Sequence, residues 1–534
     1  MKLTCRLMAL ALALMMVFSA MAFAEGAEVE QTLYLTFPAS NNANTYDFLY
    51  PWDNETLPNN LLWLTLIQAD KDLHAAQPEI METWGISEDG TVITMTLKDG
   101  LMWSDGTPIT MEDVVWTFER YCDPNGKYWS FVVAAMKYIK GYDAFHAGET
   151  DKLEGLTYDD KTLTIELSSP YASFLDLMCQ VAPLPKHVYE NCNFADDSFK
   201  VDEIWREITV NSGAFVVTEH SEGSYYVLEP NPYYQGKPSK ITKVVCNVAE
   251  ASNYSTMAQT GNVDMFVSTS QDDYAVMTNT EGYSMKAVPI IFFRFLAFNF
   301  FDSEGANKGF VDDVRVRQAF AKGVDWRTVI GGLFGDQASL TQTGVLSDDA
   351  NYIGDWYEYD PEGAKALLDE AGYDYSHTMK IFYYYTDQTT VDVMDAIAYY
   401  MSQIGVTVEA VYTSAVAQDV YEGRTQDIAY FGLSAYDSLS WYQMYLRDNM
   451  NDMTGCKAIF ADAVAELEVA FSPELKAASL AKLQEMDKEN IFFLPVYTLN
   501  QQVWLSDRLS VPEDCFGNGW FFYDYQFEDW EIVK

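Results

Sequence analysis

Between Asp360 and Val411 the apolar residues switch repeatedly between helical and strand spacing, and that alternation constrains the fold more than any other feature of the chain. Asp360 supplies a helix N-cap, Pro361 the first helical position, Ala364, Leu367, Leu368 and Ala371 one apolar face, and Gly372 the C-terminal stop. The pattern then predicts a strand over Met379 to Tyr385, a helix over Val391 to Ile404 and, after Gly405, a strand over Val406 to Val411. Elements that alternate in this way pack as α/β layers, helices covering a sheet. The N-terminal half adds the strand-like Thr32 to Phe37. Ile93, Met95 and Leu97 alternate with Thr94 and Thr96, and Leu163, Ile165 and Leu167 alternate with Thr162, Thr164 and Glu166, so each strand has one buried face. Between these two, Thr110 with Asp113 three residues on comes close to a capping box. Val114, Val115, Phe118 and Tyr121 follow at helical spacing until Asp123-Pro124-Asn125-Gly126 ends the helix.

A chain of 534 residues has the length of two or three domains. With 33 Lys+Arg against 79 Asp+Glu its net charge is −46, which argues against nucleic acid or an anionic membrane surface as the main partner, because both are held by clustered basic residues. A hydrophobic content of 49% excludes a disordered acidic tail. Residues 1–24 read as a leader: Lys2 and Arg6 give the basic end, Leu7 to Phe18 the apolar run, and Ala22-Phe23-Ala24 the small-x-small cleavage site. The run is shorter than the ~20 residues a spanning helix needs, and no later segment is long and apolar enough. Cys5 lies before the run, so no lipid anchor is signalled. Six cysteines remain (122, 179, 192, 246, 456, 515); without a Cys-x-x-Cys they fit buried thiols as well as one or two disulfides.

The sequence lacks Gly-x-Ser-x-Gly, a Walker Gly-Lys-Ser/Thr, Gly-x-Gly-x-x-Gly and His-Glu-x-x-His, and its five histidines are scattered singly. No cofactor or metal is therefore expected. Ser87-Glu88-Asp89-Gly90 and Ser104-Asp105-Gly106 lack calcium-loop spacing and read as turns between strands. The chain holds 13 Trp, 36 Tyr and 31 Phe. Several sit beside polar residues, as in Tyr383-Tyr384-Tyr385, Tyr436-Asp437 and Trp441-Tyr442, a composition suited to a wide ligand cleft as well as to a core.

Four ordered blocks then carry a family resemblance over nearly the whole mature length. They are Trp84-Gly85-Ile86-Ser87-Glu88-Asp89-Gly90; Leu97 to Pro108 with Glu112-Asp113-Val114; Leu296-Ala297-Phe298-Asn299 with Asp313 to Phe320; and Asp360-Pro361-Glu362 with Leu367 to Gly372. The sequence resembles the extracellular solute-binding proteins of family 5, the peptide, dipeptide and nickel receptors of ABC importers. The resemblance implies a two-lobed periplasmic-binding-protein-like α/β fold (type II) with an extra subdomain and a ligand cleft between hinged lobes. Lobe I would cover residues 25–289, with the subdomain at about 61–186, and return at 497–534; lobe II would cover 290–496. Ile290 to Phe301, apolar except for Arg294 and Asn299, fits a strand passing through a buried junction. A monomeric, non-catalytic, extracytoplasmic receptor working with membrane permease subunits is expected.

Asp437, Tyr436, Trp441, Arg294, Trp129 and Tyr497 are the candidate ligand-binding residues. In peptide receptors of the family a Gly-Trp-x-Ala-Asp-Tyr-Pro-Asp segment provides the aspartate for the ligand's ammonium. The matching stretch here is Gly432-Leu433-Ser434-Ala435-Tyr436-Asp437-Ser438, with the Asp displaced by one. Dipeptide receptors also place an arginine near the start of the helix after the Met379 strand, yet Ile381 to Gly423 contains no Lys, Arg or His. A strict dipeptide receptor is thus disfavoured. An oligopeptide receptor is the leading expectation, an oligosaccharide receptor on the same fold the alternative, and a secreted glycoside hydrolase a remote third. The leader makes the first testable expectation: N-terminal sequencing of the exported protein begins at Glu25, and a retained leader or a lipid-modified terminus would contradict it.

Overall fold

The computed structural model describes residues 29–38, 60–124, 130–191, 210–221, 223–354, 357–517 and 526–534. The leader, Trp129 and Cys192 lie outside these residues. Two long strands organise the rest. Tyr283–Phe298 and Phe493–Ser506 run antiparallel, from the Tyr283/Ser506 pair to the Ala297/Phe493 pair. All fourteen residues of 493–506 are buried, as in a strand covered on both faces. This pair is the middle of an eleven-stranded sheet. On one side of it lie 265–268, 32–38, 243–249, 225–230 and 215–221 in that order; on the other lie 428–434, 378–383 and 407–412. The strands at 378–383, 407–412 and 428–434 are mutually parallel, whereas 428–434 meets 283–298 antiparallel.

The register of the central pair breaks between Pro289 and Phe293. Pro289 has no N–H to give a ladder. At Phe292 the strand acquires its second-lobe partner, pairing with Ser434. A separate antiparallel sheet has four strands in the order 81–86, 92–97, 162–166, 156–158. The two alternating strands read from the sequence are neighbours there, Val92 opposite Glu166 and Thr96 opposite Thr162. Helix Met111–Tyr121 follows the 92–97 strand and starts with the full capping box: Thr110 Oγ1 accepts from the Asp113 N–H, and the Asp113 carboxylate accepts from the Thr110 N–H.

Several element ends differ from the expectations. The strand expected to reach Tyr385 is Thr378–Tyr383, leaving Tyr384 and Tyr385 beyond its end. The next helix is Gln388–Gln403 and not Val391 to Ile404, because Asp387 caps it through the Thr390 N–H at 2.8 Å. Its polar first turn hides that start from any apolar period. The following strand is Thr407–Tyr412. Asp360 and Gly372 cap helix Pro361–Ala371 as read, Gly372 taking a positive φ of 69°. Both Asp-Gly segments are turns, with positive φ at Gly90 and Gly106. Cys122, Cys179, Cys246, Cys456 and Cys515 are buried, and no disulfide joins the described cysteines.

Inside the second lobe, helix Pro473–Asn490 brings Asp487, only 3% exposed, to the hydroxyls of Tyr442 (2.8 Å) and Tyr445. Burial pushes this carboxyl up to about 7, against the pull of those two hydroxyls and the Gly344 backbone. A carboxyl raised on folding binds more protons in the native than in the unfolded chain, so its contribution to stability is full below about pH 4 and lost as pH rises toward 7. Asp487→Asn carries no such titration. The variant's stability relative to the wild type should therefore improve between pH 4 and pH 8 by an amount on the order of 4 kcal/mol, read from urea unfolding at each pH. A difference that stays constant with pH would contradict the assignment.

Candidate functional site

In α/β sheets ligands collect outside the carboxyl ends of parallel strands, where the loops diverge. Here the 378–383 and 428–434 strands both end at one edge. Tyr384 and Tyr385 follow the first, and Ala435, Tyr436 and Asp437 follow the second, leading into helix Ser438–Gln443. The segments at 73 and 172–176 meet this edge directly. The Tyr436 hydroxyl lies 2.9 Å from the carbonyls of both Leu73 and Asp176, and Ser173 Oγ donates to Asp437 Oδ2 at 2.5 Å. The Ala172 N–H donates to the Glu468 carbonyl at 2.7 Å. Burial pushes the Asp176 carboxyl up, while the Ala75 N–H, 3.0 Å away, pulls it down. Residues 73 and 172–176 are thus held against 436–437 and 468, with both carboxylates at the seam.

Asp437 does two jobs at once. Its Oδ1 accepts from the Ser440 N–H and hydroxyl, both at 2.8 Å, capping the 438–443 helix, and its Oδ2 faces Ser173 across the cleft. Tyr436, 3% exposed, closes over the same junction. Trp441 is fully buried behind the central strand, its ring 4.4 Å from that of Phe293 and 5.0 Å from that of Phe295. It supports the strand from the side opposite Arg294.

Arg294 stands opposite Gly432 in one neighbouring strand and Tyr497 in the other. Its guanidinium carbon lies 3.4 Å from the centre of the Tyr385 ring and 4.8 Å from that of Phe292. Tyr385 Oη is 2.8 Å from Tyr384 Oη, and Tyr497, 1% exposed, is 2.6 Å from Tyr430 through their hydroxyls. Burial pushes the Tyr385, Tyr430 and Tyr497 hydroxyls up, with Tyr497 reaching about 12, so the cation is ringed by neutral phenols. The structure therefore brings Arg294 and Tyr497 together in one cluster, and Asp437 and Tyr436 together at the seam. Sequence reasoning missed Ser173, Asp176 and Tyr430: the first two lie in no motif, and Tyr430 looks like one more core aromatic in a strand. Gly432 was read only as part of a motif. A Cβ there would lie 2.1 Å from Tyr385 Oη and 2.9 Å from Arg294 Nη1.

The model of the bacterial extracellular solute-binding proteins, family 5, matches residues 75–454. The chain belongs to this family, whose members bind solutes and are not enzymes. It is a substrate-binding protein of the ABC-importer class. It is 27% identical over 503 residues to the periplasmic oligopeptide-binding protein OppA of Escherichia coli, covering 88% of each chain. Against the heme-binding protein A of Haemophilus influenzae it is 27% identical over 322 residues, covering 58% of this chain and 56% of that one. The fold is shared with the substrate-binding protein CtaP of Listeria monocytogenes, with a TM-score of 0.80 at 19% identity over 95% of this chain and all of that one.

The close approach at Gly432 makes a testable point. Gly432→Ala should force the Tyr385 and Arg294 side chains to shift and cost ~1–3 kcal/mol of stability, the usual range for overpacking. Thermal unfolding measures this; an unchanged midpoint would mean that the cluster has room the geometry denies.

Proposed function

We propose that this chain is the extracytoplasmic receptor of an ABC importer for oligopeptides, bending where the central strands change register between Pro289 and Phe293 and handing its ligand to membrane permease subunits. The observation that carries the peptide reading is the extent of likeness: similarity to the oligopeptide-binding relative runs through 88% of both chains, whereas similarity to the heme-binding relative stops at 58% of this one. The position of Asp437 supports it. A peptide's ammonium loses water as lobes close, and a buried cation needs a carboxylate partner. Asp437 Oδ2, which faces the opposite lobe through Ser173, is that partner in this reading. The tyrosine-rich edge favours a second reading, an oligosaccharide ligand, because phenol rings offer flat apolar faces with polar rims.

Asparagine caps a helix as well as aspartate does, so Asp437→Asn keeps the 438–443 helix and removes only the charge. It should weaken peptide binding by ~2 to 5 kcal/mol while leaving any neutral oligosaccharide affinity nearly unchanged. Calorimetric titration with a peptide library and with cello- and xylo-oligosaccharides reads both. Unaltered peptide affinity would remove Asp437 as the amine anchor. Binding of sugars with no binding of peptides would replace the peptide reading with the second.

A further inference from the structure

A surface groove of about 730 Å³ lies between helix Pro361–Ala371 and the last turn of helix Gln388–Gln403. Its place in the sheet separates it from the candidate site. Helix 388–403 starts beyond the carboxyl end of the 378–383 strand and leads back to the start of the parallel 407–412 strand, so its last turn lies at the amino ends of these strands. Sixteen helical residues put that turn about 24 Å from the edge that carries Tyr384 and Tyr385. Three tyrosines dominate the groove. The Tyr400 ring stands edge-on to Tyr359 on one side and to Tyr399 on the other, with centroids 5.4 Å apart in both pairs and interplanar angles of 78° and 77°. Tyr399 is 61% exposed and Tyr359 42%, so two large rings lie open to solvent. None of the three hydroxyls has a hydrogen-bond partner among the described residues, whereas those of Tyr375, Tyr430 and Tyr442 are bonded to Asp369, Tyr497 and Asp487. Single apolar side chains on a surface are ordinary; three rings in contact around a groove of ligand size mark a binding face.

The polar lining narrows the choice of occupant. Glu362 has neither a hydrogen bond nor an ion pair among the described residues. Lys365 is the one cation of the lining, and it is engaged: its Nζ lies 3.2 Å from Asp369 Oδ1 and 3.3 Å from the Tyr375 hydroxyl. We propose that this groove is a second ligand site, which holds a neutral glycan chain of the cell envelope by stacking sugar rings on Tyr359 and Tyr399 and accepting their hydroxyls at Glu362. An anionic polymer is repelled by Glu362, by Asp369 and by a chain of net charge −46. A wholly apolar partner would strip water from Glu362 and the three phenol hydroxyls and return no hydrogen bond for it. A pyranose answers both demands, with an apolar C–H face to lie on a ring and a rim of hydroxyls for the carboxylate. A bound ammonium is held best by rings closed around it, whereas the two open rings here stand on either side of Tyr400 as a platform. Two stacking places on one open groove suit a chain of sugars better than a single free one. Members of this family are extracellular, where envelope polysaccharide is within reach. Held at this groove, the protein keeps the distant edge at Tyr384 and Tyr385 available for cargo, whatever that cargo is.

The test uses the intact protein and defined probes: insoluble cellulose and chitin in sedimentation assays, their soluble oligosaccharides in calorimetry, and choline as a cationic control. The wild type should be retained on at least one of the two insoluble glycans and bind the matching oligosaccharide, and it should not bind choline. Substituting both Tyr359→Ala and Tyr399→Ala should weaken that binding at least about tenfold, since both stacking rings are lost. Glu362→Gln keeps an acceptor and removes the charge, so it should change sugar affinity by less than about threefold. Failure to bind either glycan overturns the proposal. Sugar binding that survives in the double variant also overturns it, because the sugar then sits elsewhere, as an oligosaccharide held at Asp437 would. If circular dichroism shows the double variant unfolded, Tyr399→Ala alone decides, and undiminished binding counts against the groove. Binding of soluble oligosaccharides without retention on the insoluble glycans overturns the envelope chain as the occupant. Choline binding that is lost in Glu362→Gln replaces the glycan with a cation and overturns the proposal. Peptide titrations report on the candidate site alone, so their outcome leaves this one standing or falling by itself.

Discussion

The pairing of 283–298 with 493–506 is the constraint on which the rest of the molecule depends. Because both strands run unbroken through the two lobes, the lobes are halves of one hydrogen-bonded sheet and not beads on a tether. Any relative motion of the lobes has to be absorbed where that ladder is already imperfect. The stretch from Pro289 to Phe293 is such a place: the proline lacks a donor, and the partner of Phe292 belongs to the second lobe. A hinge made of continuous strands limits motion to bending and twisting about a narrow line, the mode by which two-lobed receptors close.

Packing around this pair is organised by what charge burial costs. Asp427 is nearly inaccessible and is paired twice, with Lys308 at 3.2 Å and His377 at 2.9 Å, and it also accepts from the Lys380 N–H at 2.9 Å. Asp487 is given tyrosyl donors, and Arg317 is given carbonyls. In each case a buried charge is matched by the groups of its own chain, as the expense of desolvation requires. Against that habit stands Arg294, whose buried Nε and Nη1 have no hydrogen-bond partner.

Much of this fold could be read from residue order alone. Capping residues did most of the work: Thr110 with Asp113, and Asp360 with Gly372, are local signals whose hydrogen bonds form within one turn of the chain. Alternation located the 92–97 and 162–166 strands, since a half-buried strand writes its two faces into alternate positions. Legibility failed where structure is set by distant partners. Nothing near Ser173 announces that it will meet Asp437, 264 residues away. Tyr384 and Tyr385 read as strand because their rings are apolar; their place beyond the strand end follows from Asp387 claiming the next helix's cap. Arg294 was conspicuous as a charge in an apolar run, but its lack of a partner is a fact about the space around it.

The seam between the lobes has a further consequence. Three of its contacts end on main-chain oxygens, those of Leu73, Asp176 and Glu468. A carbonyl is present whatever side chain a residue bears, so these attachments place little demand on the identity of the amino acids that supply them. The acceptor at 468 accordingly stays in place under another side chain, whereas Leu73, 2% exposed, is also held by the packing of its own side chain. The seam thus draws on main chain from both of its sides, residues 73 and 176 on one and 468 on the other.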